Sequence, residues 1–208
     1  MSHNVQELKI TTKNVTLSIF GIIISSMIIR LWFYPYDLPI THDGDTFFSY
    51  AIDTVISGKI PQTYTLPNNG WPIILSLFFN IFNFDSALEY MNLQRSLSIV
   101  VSALTIIPVY LLCRRFFSQI IAIVGCGLFA FSPQILQNSL LGTTEPVYIC
   151  LITISVFLFL SKKINLVYCS FWIIALASII RYEGIILLIP FSIIFFIKFQ
   201  SEKKIIIK

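Results

Sequence analysis

Residues 94–117 read "QRSLSIVVSALTIIPVYLLCRRFF", an apolar run from Ser96 to Cys113 bounded by Arg95 on one side and by Arg114 and Arg115 on the other. At about 1.5 Å rise per residue, a helix of this length crosses most of a hydrocarbon core roughly 30 Å thick. Lipid offers the backbone no hydrogen-bond partners, so such a run must satisfy its own and should be helical. Comparable runs lie outward from it: Val15 to Phe33 before, then Phe116 to Ser132, Pro146 to Leu160, Leu166 to Ile180 and Gly184 to Phe199. The composition agrees, with 56% hydrophobic and only 12% charged residues among 208 and a mean hydropathy of +0.84. The expected fold is all-α, a polytopic transmembrane bundle of about six spans in a single membrane-embedded domain over residues 1–208.

Charge sets the orientation. With the N-terminus cytoplasmic, alternating spans put Lys9, Lys13, Arg114, Arg115, Lys162, Lys163, Lys198, Lys203, Lys204 and Lys208 inside, as the positive-inside rule requires. Arg30, Lys59, Arg95 and Arg181 then fall outside or at the outer edge. The net charge of +4 is therefore a topology signal, not a nucleic-acid patch. Asp37, Asp43, Asp45, Asp53, Asp85, Glu89, Glu145 and Glu183 fall outside, and Glu7 and Glu202 inside. Cys126, Cys150 and Cys169 lie within spans and Cys113 at an inner end, so no disulfide framework is implied. The first run carries no defensible cleavage site and reads as a retained helix. The expected location is an integral, multi-pass protein of the plasma membrane or its equivalent.

The longest stretch outside the spans is the first outer loop, residues 34–95. "DTFFSYAIDTVISG" places Phe48, Ile52, Val55 and Ile56 at helical spacing, with Gly58 positioned as a left-handed cap, which predicts an amphipathic interfacial helix. "PQTYTLPNNGWP" is turn-rich through Pro61, Pro67, Asn68, Asn69, Gly70 and Pro72. "WPIILSLFFNIF" is apolar but too short to span, so a second interfacial helix is expected. Ser86 and Glu89 form a capping-box pattern leading into the second span. Trp32, Tyr34, Tyr36 and Trp71 fit an outer aromatic belt. The C-terminal "SEKKIIIK" turns apolar and then stops, which suggests a further span or a fragment.

The chemical candidates cluster outside. Asp43 and Asp45, with His42 before and Thr46 after, are able to hold a divalent cation or to divide so that one acts as base and the other shapes its pKa. D-G-D also occurs in plain turns, and Asp45 is equally placed to cap the helix that follows. Glu145, near Thr143, Thr144 and Pro146, suits either the first turn of a helix, where the dipole favours a carboxylate, or a position facing the same outer cavity as Asp43. Arg181 and Glu183 sit in a short connection, "IIRYEGII", where Arg181 offers a phosphate fork or simply pairs with its neighbour. Arg95 and Arg30 carry the same ambiguity with snorkelling, and for Arg30 snorkelling is the stronger reading.

The order of these features resembles the N-terminal half of the GT-C class of membrane glycosyltransferases, and most closely the protein O-mannosyltransferase and aminoarabinose-transferase branch. The likeness runs over about residues 15 to 185. It rests on Asp43 ahead of Phe47, Ala51 and Gly58, on a Pro-containing second surface helix from Trp71 to Phe82, on Tyr110 to Phe116 at the end of the second span, and on "FSPQILQNSLLGTTEPVY". Many relatives carry Asp followed by Glu where this chain has Asp43, Gly44 and Asp45, which leaves open which carboxylate is the base. The family also has more spans and often a C-terminal soluble domain, so the resemblance implies a chain incomplete at its C-terminus.

The resemblance implies inverting transfer of a sugar from a polyprenyl-phosphate donor to a protein, glycan or lipid acceptor on the extracytoplasmic face. Asp43 or Asp45 would take the acceptor proton, and Arg95 or Arg181 would stabilise the departing phosphate, with Glu145 and His42 as further substrate-binding candidates. A divalent cation on Asp43 and Asp45 is compatible with the sequence and not required by it. A transporter would bury ionisable residues within its spans, and apart from Arg30 and helix ends these spans lack them. A non-catalytic or truncated relative that binds lipid or supports an assembly is the other alternative.

Overall fold

A computed structural model describes residues 12–62, 64 and 68–199. Glu7, Lys9, Pro67, Glu202, Lys203, Lys204, Lys208 and the C-terminal "SEKKIIIK" lie outside the described residues. Those described form helices α1 (Thr12–Trp32), α2 (Asp43–Ser57), α3 (Gly70–Ile81), α4 (Ala87–Leu104), α5 (Ile106–Cys113), α6 (Gln119–Ala130), α7 (Pro133–Leu140), α8 (Glu145–Phe159), α9 (Ile164–Ile180) and α10 (Gly184–Phe199), with no strand among them.

Among the described residues two helices are long and apolar enough to cross a membrane: α1, and α4 with α5, which run together from Ala87 to Cys113. The second begins well before Ser96 because the capping box forms as expected. Ser86 Oγ accepts from the Glu89 N–H, and Glu89 Oε2 accepts from the Ser86 N–H at 3.0 Å, satisfying two otherwise orphaned donors. The run from Phe116 to Ser132 is not one straight helix. It ends at Ala130, and Pro133 starts α7 at a 48° bend, so α6 and α7 together make a broken third candidate. Proline fits there because the first turn of a helix has no need of its missing N–H. Helices α3, α8, α9 and α10 are apolar but shorter.

Helices α2 and α3 pack on the bundle itself. Phe48 and Ala51 of α2 meet Trp71, Leu75 and Phe79 of α3, Val147 of α8 and Ile180 of α9 in one buried cluster, and the Phe48 and Phe79 rings meet edge to face at 5.8 Å. Ile52 and Val55 lie against this cluster as their spacing predicts, whereas Ile56 is 79% exposed. Gly58 closes α2 in the left-handed conformation, its N–H donating to Thr54 O.

Three sequence expectations change. Trp71 does not belong to an interfacial belt: it is buried, and its indole N–H donates to Gly142 O at 3.1 Å. Tyr34 is also buried, its hydroxyl donating to Asn92 O at 2.6 Å, while Trp32 and Tyr36 stay exposed. Arg30 is no snorkelling anchor. It is 0% exposed and donates to Ser26 O (3.1 Å), Ser102 Oγ (2.9 Å) and Ser139 Oγ (3.1 Å), which ties α1 to α4 and α7. Serines from neighbouring helices meet the guanidinium within the bundle, so it has no need to reach the rim.

The bundle sorts its charges by end. Arg115 donates to Leu160 O at 3.1 Å and Lys198 to Ser161 O at 2.8 Å, which gathers the basic connections after α5 and α8 and the C-terminal turn of α10. Cations at the last carbonyls of a helix also favour its dipole. Asp43 of α2 and Glu183 of the α9–α10 connection line one cavity, and Glu145, at the end of α8 away from Leu160, bonds to the same Arg181 as Glu183.

Candidate active site

The site is built on a wall of three segments far apart in sequence. Gln94, buried on α4, donates through Nε2 to Gly44 O at 3.0 Å and to Gly142 O at 2.8 Å. Trp71 Nε1 reaches the same Gly142 carbonyl. The approach is so close that a Cβ on Gly44 would lie 2.4 Å from Ile40 Cγ2 and 2.6 Å from Leu141 O. An Asp–Glu pair therefore cannot be built here without moving the wall, which accounts for glycine between the two aspartates.

His42 precedes α2 with φ 58° and ψ −137°, a positive-φ conformation uncommon outside glycine, and its side chain makes no cap hydrogen bond. Asp45 does not cap the helix, because Asp43 and Asp45 both occupy its first turn. There the amide dipoles favour negative charge.

One cavity of about 250 Å³ opens beside this turn, and Asp43, Thr46, Phe47, Thr144, Arg181 and Glu183 are among its lining residues. Arg181 organises its far side. NH1 contacts Glu145 Oε1 at 2.5 Å and Thr144 Oγ1 at 3.3 Å, while NH2 donates to Glu183 Oε1 at 2.7 Å and Nε to Glu183 Oε2 at 3.4 Å. Its guanidinium also lies over the Tyr148 ring, 5.8 Å from the centroid. The hydrogen bond to Glu183, with Glu145 beside it, raises the Arg181 pKa, and the same bond holds the Glu183 carboxyl below the usual carboxylate range. Glu145 stands in the first turn of α8, its Oε2 buried and without a hydrogen-bond partner among the described residues. Thr144 is the residue before α8, but its hydroxyl serves Arg181 and makes no cap bond.

The structure thus brings together Asp43, Arg181, Glu183 and, through Arg181, Glu145. It does not bring Asp45, His42 or Arg95 to this lining. Asp45 and His42 are exposed. Arg95 is 3% exposed and lines a separate, mostly apolar cavity of about 440 Å³ with Phe33, Leu38, Ile40, Gln137 and Leu141. Its NH1 donates to Pro35 O and Asn92 Oδ1, and its buried Nε has no partner among the described residues. No group of three or more His, Cys, Asp or Glu side chains suited to a metal ion occurs among the described residues. A cation on Asp43 and Asp45 would thus draw at most two carboxylates from this turn.

Sequence reasoning missed Gln94 and Gly142 as parts of the site, and it read Glu183 only as the neighbour with which Arg181 pairs. A signal existed for Gln94, a lone amide beside Arg95 at the head of an apolar helix. None existed for the carbonyl it holds across the bundle.

The lining offers a carboxylate, Asp43, and a guanidinium, Arg181, at one small, water-accessible cleft. Residues 70–208, about two-thirds of the chain, match the family model described as dolichyl-phosphate-mannose-protein mannosyltransferase. The match includes Arg95, Glu145, Arg181 and Glu183 and begins after Asp43. No curated protein matches the chain significantly.

Proposed function

Because the chain belongs to the dolichyl-phosphate-mannose-protein mannosyltransferase family, a GT-C type of membrane glycosyltransferase that uses a polyprenyl-phosphate sugar donor, we propose that Asp43 is its catalytic base and Arg181 its phosphate ligand. The acceptor, a hydroxyl or amide of a protein, glycan or lipid, loses its proton to Asp43 as its oxygen or nitrogen attacks the anomeric carbon. The bond from that carbon to the phosphate oxygen breaks, the electron pair leaves with the phosphate, and the configuration inverts. Arg181 stabilises the charge that grows on the leaving group.

The observation that carries this reading is that Asp43 and Arg181 line one cavity. Arg95 is the second candidate for the phosphate, favoured by its partnerless buried Nε and its apolar surroundings, which suit a lipid. In this reading the basic end of the bundle faces the cytoplasm, as the positive-inside rule favours, and the cavity opens on the outer side. A membrane-held donor and a water-borne acceptor meet naturally there.

In membranes supplied with a labelled polyprenyl-phosphate sugar, Asp43→Asn should lower transfer by about 10²- to 10⁴-fold, the range for loss of a positioned base. Asp45→Asn should retain most of it. Full transfer by Asp43→Asn would remove Asp43 from the mechanism.

A further inference from the structure

All but one of the guanidinium hydrogens of Arg181 are engaged. An arginine has five N–H donors, and four hydrogen bonds from its guanidinium go to Glu145, Thr144 and Glu183. A phosphate that is to grip Arg181 with two oxygens along one edge must therefore replace something.

The two carboxylates are not equally replaceable. Glu145 belongs to the first turn of α8, meets NH1 alone, and has its second oxygen buried. Glu183 takes the Nε and NH2 edge with both oxygens, the paired geometry with which arginine also grips phosphate. Its side chain is 33% exposed and lines the cavity. The backbone under it is fixed: Arg181 N donates to Ala177 O at 2.8 Å, Gly184 N to Arg181 O at 3.0 Å, and a Cβ on Gly184 would sit 2.8 Å from Ser178. Release of Arg181 thus needs only rotation of the Glu183 side chain, and the adjacent Tyr182 is exposed, so the way outward is not packed shut.

We propose that Glu183 is a placeholder for the donor phosphate: its carboxylate holds the Arg181 fork aligned until the phosphate displaces it. The assignment rests on Arg181 being the phosphate ligand. It gives Glu183 two opposing effects, since it keeps Arg181 in place yet competes with the donor for the same edge. Removing it should tighten binding of the lipid phosphate, whereas removing a residue of purely structural importance would weaken it.

The test uses the full chain in lipid nanodiscs and measures binding of a polyprenyl phosphate without sugar. Glu183→Gln and Glu183→Ala should both bind about two- to fivefold tighter, the factor that follows from losing a competing ion pair of up to about 1 kcal/mol. In turnover, KM for the donor should fall by a similar factor. Asp43→Asn removes a carboxylate from the same cavity without touching the fork, and it should tighten binding less. Equal tightening in Asp43→Asn would mean a general change in potential, and would overturn the placeholder role. Arg181→Gln separates the two ideas. Wild-type affinity in Arg181→Gln removes Arg181 as phosphate ligand; weakened affinity there, with no tightening in either Glu183 variant, removes the placeholder alone.

Discussion

Gly44→Ala tests the wall that holds the proposed base. The added Cβ would stand 2.4 Å from Ile40 Cγ2 and 2.6 Å from Leu141 O, short of ordinary contact near 3.4 Å by about 1.0 and 0.8 Å. Ile40 can turn its methyl aside. Leu141 O is backbone, and its segment is tied through Gly142 to Gln94 and Trp71. Relief therefore comes either from retreat of the first turn of α2, which breaks the bond from Gln94 to Gly44 O, or from displacement of Gly142 from both of its donors. Overpacking by one methyl costs about 1–3 kcal/mol and a lost hydrogen bond about 1 kcal/mol more. For a chain of this size that is a melting temperature lower by about 5–15 °C.

The functional loss should be larger than the loss of stability suggests. Displacing a reacting group by about 1 Å costs on the order of a hundredfold in rate, and Asp43 is the neighbour of the residue that must move. The assay is initial-rate sugar transfer from a labelled polyprenyl-phosphate donor, paired with a thermal melt in detergent. Gly21→Ala is the control, because a Cβ there meets nothing within 4 Å; it should transfer as wild type. A Gly44→Ala protein that both transfers and melts like the wild type would refute the reasoning about the wall.

Two further outcomes follow from side chains outside the site and within the bundle. Tyr64 donates to Asp53 Oδ2 at 2.7 Å, and that bond, with burial and the Asp53 charge, pushes the Tyr64 hydroxyl up to about 12. Its contribution to stability is full below the unfolded tyrosine pKa of about 10 and is lost as pH rises toward 12; absorbance titration should show Asp53→Asn moving Tyr64 back down. Ser139→Ala leaves Arg30 Nε without its acceptor, which should cost about 1–3 kcal/mol and appear as a lowered melting temperature. An unchanged melt would mean that water or another oxygen replaces the serine.

Much of the helical framework was legible because the signals were local. The apolar runs, the Ser86–Glu89 box and the Gly58 cap each act within a few residues, and α1, α8, α9 and α10 begin and end within a few residues of where hydropathy puts them. The bend between α6 and α7 was harder to read, since Pro133 opens a new helix within an apolar context that hydropathy reads as continuous. The site was legible by residue type and not by partnership. Asp43, Glu145 and Arg181 stood out as charges beside oil, but which of them meet depends on contacts such as Arg181 with Glu145, made across 36 positions of sequence. Arg95 carried the same outward signs as Arg181 and lines a different cavity. Arg30 was misread for the same reason, because its serines lie 72 and 109 residues away.

That separation gives Arg30 a history as well as a place. A ribosome adding about 5–20 residues per second delivers Ser102 and Ser139 only some 4 to 22 s after Arg30 itself. Throughout that interval α1 is in the bilayer with a guanidinium that has only Ser26 O for company, near the end of the helix where water is in reach. The newborn helix should therefore float with Arg30 at the surface and be drawn inward once α4 and then α7 arrive, so that snorkelling describes its youth and the serine clamp its maturity. With Arg30 kept, Ile29→Cys as the reporter and the four native cysteines replaced by alanine, ribosome-stalled chains ending before Ser102 should label readily with a water-soluble thiol reagent. Full-length chains with the same substitutions should resist it, and equal labelling at both lengths would show that α1 never makes the move.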